Sequence, residues 1–226
     1  MWKPTTKPAQ HDLLDVHQRN ALHARAQTWV TEERDALLSA LEPSPKLTPP
    51  ARGLLYMLRD GLGNLPRSAV NAEVAALSNT DRSALHRQGI RLGFHAVYAT
   101  AMLKPAMLQR RAWLWSLCHN RGALLSAPSG APSVPVTQPR RFYPAVGYRC
   151  LGSRAVRMDM VERLDARLRG ATRGGAVPLP MEPVTWLGCS APVFMEICRA
   201  LGYTIHETKE GASICRAKKK RRRSRR

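Results

Sequence analysis

The sequence predicts a mostly α protein in four parts. A helical domain spans residues 1–120, a Pro/Ser/Gly-rich loop or linker 121–139, a small α+β module of winged-helix-like order 140–216, and a disordered polybasic tail 217–226. Three observations carry this. Long stretches without Gly or Pro place apolar residues at helical spacing. Composition changes abruptly at 121. Two late segments, FYPAVGYRC (142–150) and FMEICRALGYTIHE (194–207), each run from a helix into Gly-Tyr and then a short strand-like stretch.

Residues 11–42 contain no Gly or Pro, and Leu14, Ala21, Leu22, Trp29, Ala36, Leu37 and Leu41 recur at helical spacing, which predicts one long amphipathic helix. The four prolines of PSPKLTPP (43–50) end it. ARGLLYMLRDGL (51–62) follows as a second helix, closed by Gly63 and Asn64. PRSAVNAEVAAL (66–77) reads as a third, and Asn79 or Thr80 would cap a short fourth. Within 89–105, Phe94, Val97 and Met102 are expected to pack inward. KPAMLQRRAWLWSLCHN (104–120) has Met107, Leu108, Trp113, Leu114 and Leu117 on its apolar side, with Arg110 and Arg111 toward the other. RGALLSAPSGAPSVPVTQP (121–139) carries the composition of an exposed connection. In 155–170, Val156, Met160, Leu164 and Leu168 repeat every four residues and predict another amphipathic helix.

Charge narrows the function classes. Thirty-six Lys+Arg against sixteen Asp+Glu give a formal net charge of +20. No acidic residue occurs between Asp81 and Asp159, a span holding twelve Lys or Arg, and the chain ends in AKKKRRRSRR. A solvated surface ordinarily mixes signs, so a one-signed span points to a polyanionic partner. Nucleic acid is the leading candidate, because Lys and Arg on phosphates release condensed counterions. General basicity from an arginine-rich genome is the competing explanation.

The five cysteines are widely spaced without a C-x-x-C, which argues against a zinc knuckle or disulfide framework and for a reducing, cytoplasmic setting. No apolar run approaches membrane-spanning length, so no membrane partner is expected. Catalytic motifs are missing as well. There is no Gly-Lys dipeptide for a phosphate-cradling loop, no Asp-Glu for a DExx segment, no G-x-S-x-G and no H-E-x-x-H. His95 has no acid within a dozen positions to orient it as a base, and Cys118 and His119 are adjacent, so they point apart on a helix. Asp159, Glu162 and Asp165 lie among Arg163, Arg167 and Arg169, where intrahelical ion pairing is the simpler reading. The residues predict no catalytic site, no metal site and no cofactor in this chain.

Four phrases taken together resemble a known family: LPRSAV (65–70), GIRLGFHAVYATAMLKP (89–105), FYPAVGYRCLGSRAVRMDMVERL (142–164) and LGCSAPVFMEICRALGY (187–203). In this order they are similar to the C-terminal accessory region of bacterial DExH-type superfamily-2 helicases, relatives of the mitochondrial degradosome RNA helicase. The family's ATPase activity resides in RecA-like domains that this chain lacks. The resemblance therefore implies an accessory region, with ATP and Mg²⁺ relevant only through a separate RecA-domain helicase chain. The expected contacts to nucleic acid are Arg91, Lys104, Arg110, Arg111, Arg140, Arg141, Arg149, Arg154 and Arg157, with Tyr143 as a stacking surface. Lys218, Lys219, Lys220, Arg221, Arg222 and Arg223 of the tail complete the set. A structural RNA-binding protein of a ribonucleoprotein particle is the alternative.

Overall fold

In a computed structural model the chain is a mixed α+β protein, 56% helical over its described residues, with three small antiparallel sheets. The structure describes residues 6–7, 13–43, 47–119, 124–208 and 211–217. These form two compact units, Met1–Gly130 with Pro144–Gly147, and Ala131–Tyr143 with Tyr148–Arg226.

The first unit opens with α1 (Val16–Leu38), set by a capping box in which Asp15 accepts the backbone N–H of Gln18 at 2.7 Å. Such caps contribute about 1 kcal/mol. Only its last turns are built into the core: Val30, Leu37 and Leu38 are buried, while Val16, Leu22 and Trp29 are exposed. The apolar stripe expected from residue 14 onward thus packs only at its C-terminal end. α2 (Pro49–Asp60) starts on a proline pair and buries Ala51, Leu54, Leu55 and Leu58, a spacing of three and four that makes one apolar face.

Residues 64–77, expected as a single helix from Pro66, divide into β1 (Asn64–Pro66), a 3₁₀ turn and the short α3 (Asn71–Ala75). α4 (Asn79–Arg87) is capped by Ser78, one residue earlier than expected. The Ser78 hydroxyl takes the Asp81 N–H at 3.1 Å and donates to the Asp81 carboxylate at 2.7 Å. Thr48 adds a bond at 2.9 Å, and these hydroxyls, Ser78 foremost, hold the Asp81 carboxyl below the usual carboxylate range.

Residues 89–105 form β2 (Ile90–Leu92), β3 (Ala96–Ala99) and a 3₁₀ turn leading into α5 (Pro105–Cys118). β3 is central in the order β1-β3-β2, pairing Leu65 with Val97 and Arg91 with Tyr98. Val97 and Met102 are buried as expected, whereas Phe94, on the β2–β3 turn, is 51% exposed and stands edge-on to His95. Leu37, Leu41, Leu54, Leu58, Leu85 and Ile90 fill the core of this unit.

In the second unit, β4 (Ser133–Pro135) falls inside the stretch expected as a linker and pairs with β6. α6 (Phe142–Ala145) follows, its Pro144 and Ala145 being counted with the first unit, then β5 (Tyr148–Leu151) and β6 (Arg154–Arg157) in a sheet ordered β4-β6-β5. α7 (Met158–Ala171) buries Met160, Val161, Leu164 and Leu168. β7 (Val177–Pro178), α8 (Glu182–Leu187), α9 (Ala191–Ala200), β8 (Tyr203–Thr208) and β9 (Gly211–Arg216) complete it, the last two strands forming a hairpin in the order β7-β9-β8. Arg163 lies 4.1 Å over the Trp186 ring, joining α7 to α8 by a cation–π contact.

Tyr148 is fully buried and donates to the Ala131 carbonyl at 2.8 Å. Burial pushes its hydroxyl up to about 12 from an ordinary 10.0, with Asp159 adding to the rise and Arg157 opposing it. Because folding raises this pKa, the stabilisation is complete below the unfolded value and is lost as pH climbs through the folded one. Burial and the bond to Asp165 raise Tyr203 in the same direction. We expect stability to fall by about 2–3 kcal/mol between neutral pH and about pH 12 on account of Tyr148 alone. Urea unfolding of a Tyr148→Phe variant tests this. It should begin about 1 kcal/mol less stable, through loss of the hydrogen bond, and decline less steeply with pH.

Candidate nucleic-acid interface

The expected contact residues occupy four kinds of environment. Lys104, in the position that caps α5, and Arg141, at the start of α6, are exposed side chains with no carboxylate partner among the described residues. Arg91, Arg140 and Arg154 hold backbone carbonyls while keeping their charge. Arg91 donates to His86 at 3.1 Å, and Arg140 to Gly152 at 2.7 Å. Arg154 donates to the Ser133 hydroxyl and carbonyl at 2.8 and 3.0 Å. Guanidiniums used this way are fixed in place yet remain sources of positive potential. Arg149 is half-buried on β5, on the same sheet face as Arg154 by register.

Arg110 and Arg157 are ion-paired. Arg110 reaches Glu33 of α1 at 3.0 Å, and Arg157 grips Asp159 in a bidentate pair at 2.7 and 2.8 Å. A carboxylate from outside the acid-free span thus neutralises part of it, which a reading along the chain does not reveal.

Two expected contacts lie inside the protein. Arg111 is 1% exposed, and burial lowers its pKa from 12.5 to about 10. The apolar face of α5 is wider than its Leu and Trp spacing indicates, with Leu108, Ala112, Leu114 and Trp115 all buried around it. Tyr143 is 2% exposed. Its hydroxyl accepts the N–H groups of Thr137 and Gln138 at 2.9 and 3.1 Å and donates to Pro135 at 3.2 Å, so the ring organises the turn after β4 rather than presenting a face for stacking. The tail residues Lys218, Lys219, Lys220, Arg221, Arg222 and Arg223 lie outside the described residues.

Among the described residues, no group of three His, Cys, Asp or Glu is placed to hold a metal ion. His119 stacks on Trp115 with ring centroids 4.1 Å apart and bonds the Trp115 carbonyl at 2.8 Å, a local helix-end arrangement. Cys198 is fully buried, and burial pushes its thiol up to about 12. Among the described residues, no helix is long and apolar enough to cross a membrane.

Sequence reading missed a second basic cluster. Arg169 at the end of α7, Arg173 in the following 3₁₀ turn and Arg216 at the end of β9 line one cleft with His206 and Cys215. The sequence signal was the glycine-flanked RLRGATRGG (167–175), which concentrates arginines at a helix end. The contribution of β9 is visible only once the hairpin is formed. No protein family, curated protein or solved structure matches the chain.

Proposed function

We propose that the chain is a nucleic-acid-binding accessory module that holds RNA, or less favourably DNA, through its phosphates, and serves a helicase motor carried on another chain. The observation that carries this is the acid-free span between Asp81 and Asp159, whose Arg87, Lys104, Arg140 and Arg141 are exposed and without carboxylate partners among the described residues. Like charges left unneutralised repel one another in the free protein and are relieved by a polyanion. The order α8–α9–β8–β9, helices followed by a hairpin, supports reading the second unit as winged-helix-like, and the charge of the polybasic terminus adds to the binding capacity. The four helicase-like phrases support the accessory role. RNA is ranked first on that resemblance.

Salt-titrated binding to RNA, single-stranded DNA and duplex DNA tests the proposal, comparing the full chain with one ending at Arg216. Binding should weaken steeply with salt, and Lys104→Ala/Arg141→Ala should reduce the log–log slope by about 1.4 on single strands, roughly 0.7 per phosphate contact. Sequence preference should be slight, since phosphate contacts position a strand without reading it. Salt-insensitive binding, or none at low ionic strength, overturns the proposal. If all binding disappears with the terminal residues, the tail is the whole interface and the acid-free span is not. Copurification of one defined RNA species would instead favour a structural role in a ribonucleoprotein particle.

A further inference from the structure

In the second unit, the end of α7, the Thr172–Gly174 turn and the β8–β9 hairpin enclose a cleft of about 970 Å³. Arg169, Arg173 and Arg216 all contribute to its lining, with Thr204, His206 and Cys215 from the hairpin, and among the described residues no carboxylate does. We propose that this cleft is a nucleotide site, in which the three guanidiniums hold a phosphate and the His206 ring stacks on the base.

The charges are arranged for an anion. Arg169 is braced from behind: its Nε lies 3.0 Å from the Asp165 carboxylate, whose side chain is only 4% exposed and therefore does not reach into the cleft. Arg173 and Arg216 are exposed and have no carboxylate partner among the described residues. Arg169, Arg173 and Arg216 line one concavity, Arg216 from the hairpin face of Tyr203 rather than that of His206, and concave walls focus the field of like charges on whatever enters. Arginine forks match the oxygens of a phosphate better than they match halide or water.

The hairpin supplies the other wall. Register pairs Thr204 with Cys215 and His206 with Ser213, so these side chains share one face of the two strands. On that face His206 Nε2 lies 3.9 Å from Cys215 Sγ. An exposed imidazole beside a cationic cluster is a sequence-tolerant stacking surface for a base. The volume lies at the upper end of the roughly 300–1,000 Å³ found for ligand pockets, so sugar and base fit along with the phosphate.

The phosphate can belong to a strand or to a free mononucleotide. The strand source rests on the nucleic-acid reading above, and the mononucleotide source does not. Fluorescein-labelled oligo(U) and AMP, each added to the full chain, separate them. The first readout needs no variant. Bound probe should slow iodoacetamide alkylation of Cys215, followed by peptide mass spectrometry, and leave the exposed Cys118 of the first unit unchanged. In the second readout, Arg173→Ala/Arg216→Ala should weaken the bound probe about tenfold or more, and His206→Ala about fivefold or more. Protection of Cys215 by AMP without oligo(U) binding would support the cleft and remove the nucleic-acid reading. Oligo(U) binding that neither protects Cys215 nor responds to these variants would overturn the cleft and leave that reading standing. No binding of either probe at low salt overturns both.

Discussion

Asp165→Ala lowers the stability of the second unit by about 3 kcal/mol in urea unfolding, among the largest losses expected from any single side chain here. The Asp165 carboxylate accepts one hydrogen bond and faces one cation, and both groups also reach the more distant Asp165 carbonyl, 3.5 Å from the Tyr203 hydroxyl and 3.4 Å from Arg169 Nε. Tyr203, itself buried, donates its hydroxyl to Oδ1 at 2.7 Å, and Arg169 Nε lies 3.0 Å from Oδ2. Truncation leaves the buried hydroxyl only the long contact to the Asp165 carbonyl and releases a guanidinium whose side chain is 30% exposed. Breaking a buried pair costs about 3–5 kcal/mol, and the partial exposure of Arg169 places this one at the lower end. Asp165→Asn retains one acceptor and should lose about 1–2 kcal/mol. Adding Tyr203→Phe to the alanine variant removes that hydroxyl, so the double variant should be no less stable than Asp165→Ala alone. A loss below about 0.5 kcal/mol for Asp165→Ala would contradict this account.

Arg111→Met should act in the opposite direction, raising the stability of the first unit by about 1–3 kcal/mol. Arg111 is the largest fully buried side chain, and its Nε and Nη1 reach no hydrogen-bond partner among the described residues. Desolvation of the charged form is what lowers its pKa to about 10. A drop of this size disfavours the cation by on the order of a few kcal/mol near neutral pH, and the penalty lessens as pH rises through the folded value. Methionine keeps much of the length without the charge, and replacing buried ionic groups with apolar ones of similar volume is often stabilising. The site is tightly bounded. A Cβ at Gly147, where φ is +78°, would come 2.8 Å from Leu103 Cδ2 and 3.3 Å from Arg111 Nη1. Thermal unfolding of Arg111→Met beside Arg111→Ala is the measurement. Alanine opens a cavity and should forfeit the gain, whereas a lower Tm for methionine would mean that the guanidinium is satisfied.

How far the sequence foretold this structure depended on element length. α5 and α7 each run fourteen residues, enough turns for helical spacing to register, so both helices were legible, although the face of α5 was misplaced: Arg111 is buried and Leu117 is exposed. The first unit's sheet was not. β1 and β2 have three residues each, too few for alternation to register, and all four residues of β3 are buried, so the strand has no polar face to reveal it. The Ser78 cap was displaced by one position because Asn79 and Thr80 are equally good caps by type, and only the reciprocal bonds between Ser78 and Asp81 decide among them. Of the candidate interface, the abundance of positive charge was readable and its disposition was not. Glu33 neutralises Arg110 from far along the chain, and Arg216 joins Arg169 and Arg173 only by way of the β8–β9 hairpin.

The second unit is discontinuous in sequence, since Pro144–Gly147 belongs to the first. For anyone dividing the gene, this means that no single cut yields both units whole. A fragment starting at residue 140 discards β4 and leaves the β6 edge from Arg154 to Arg157 without the partner that pairs Ser133 with Val156. Starting at Ala131 preserves that edge but takes the four-residue excursion away from its own unit. Isolating the second unit calls for a short linker between Tyr143 and Tyr148 in place of Pro144–Gly147, the residues that belong to the first.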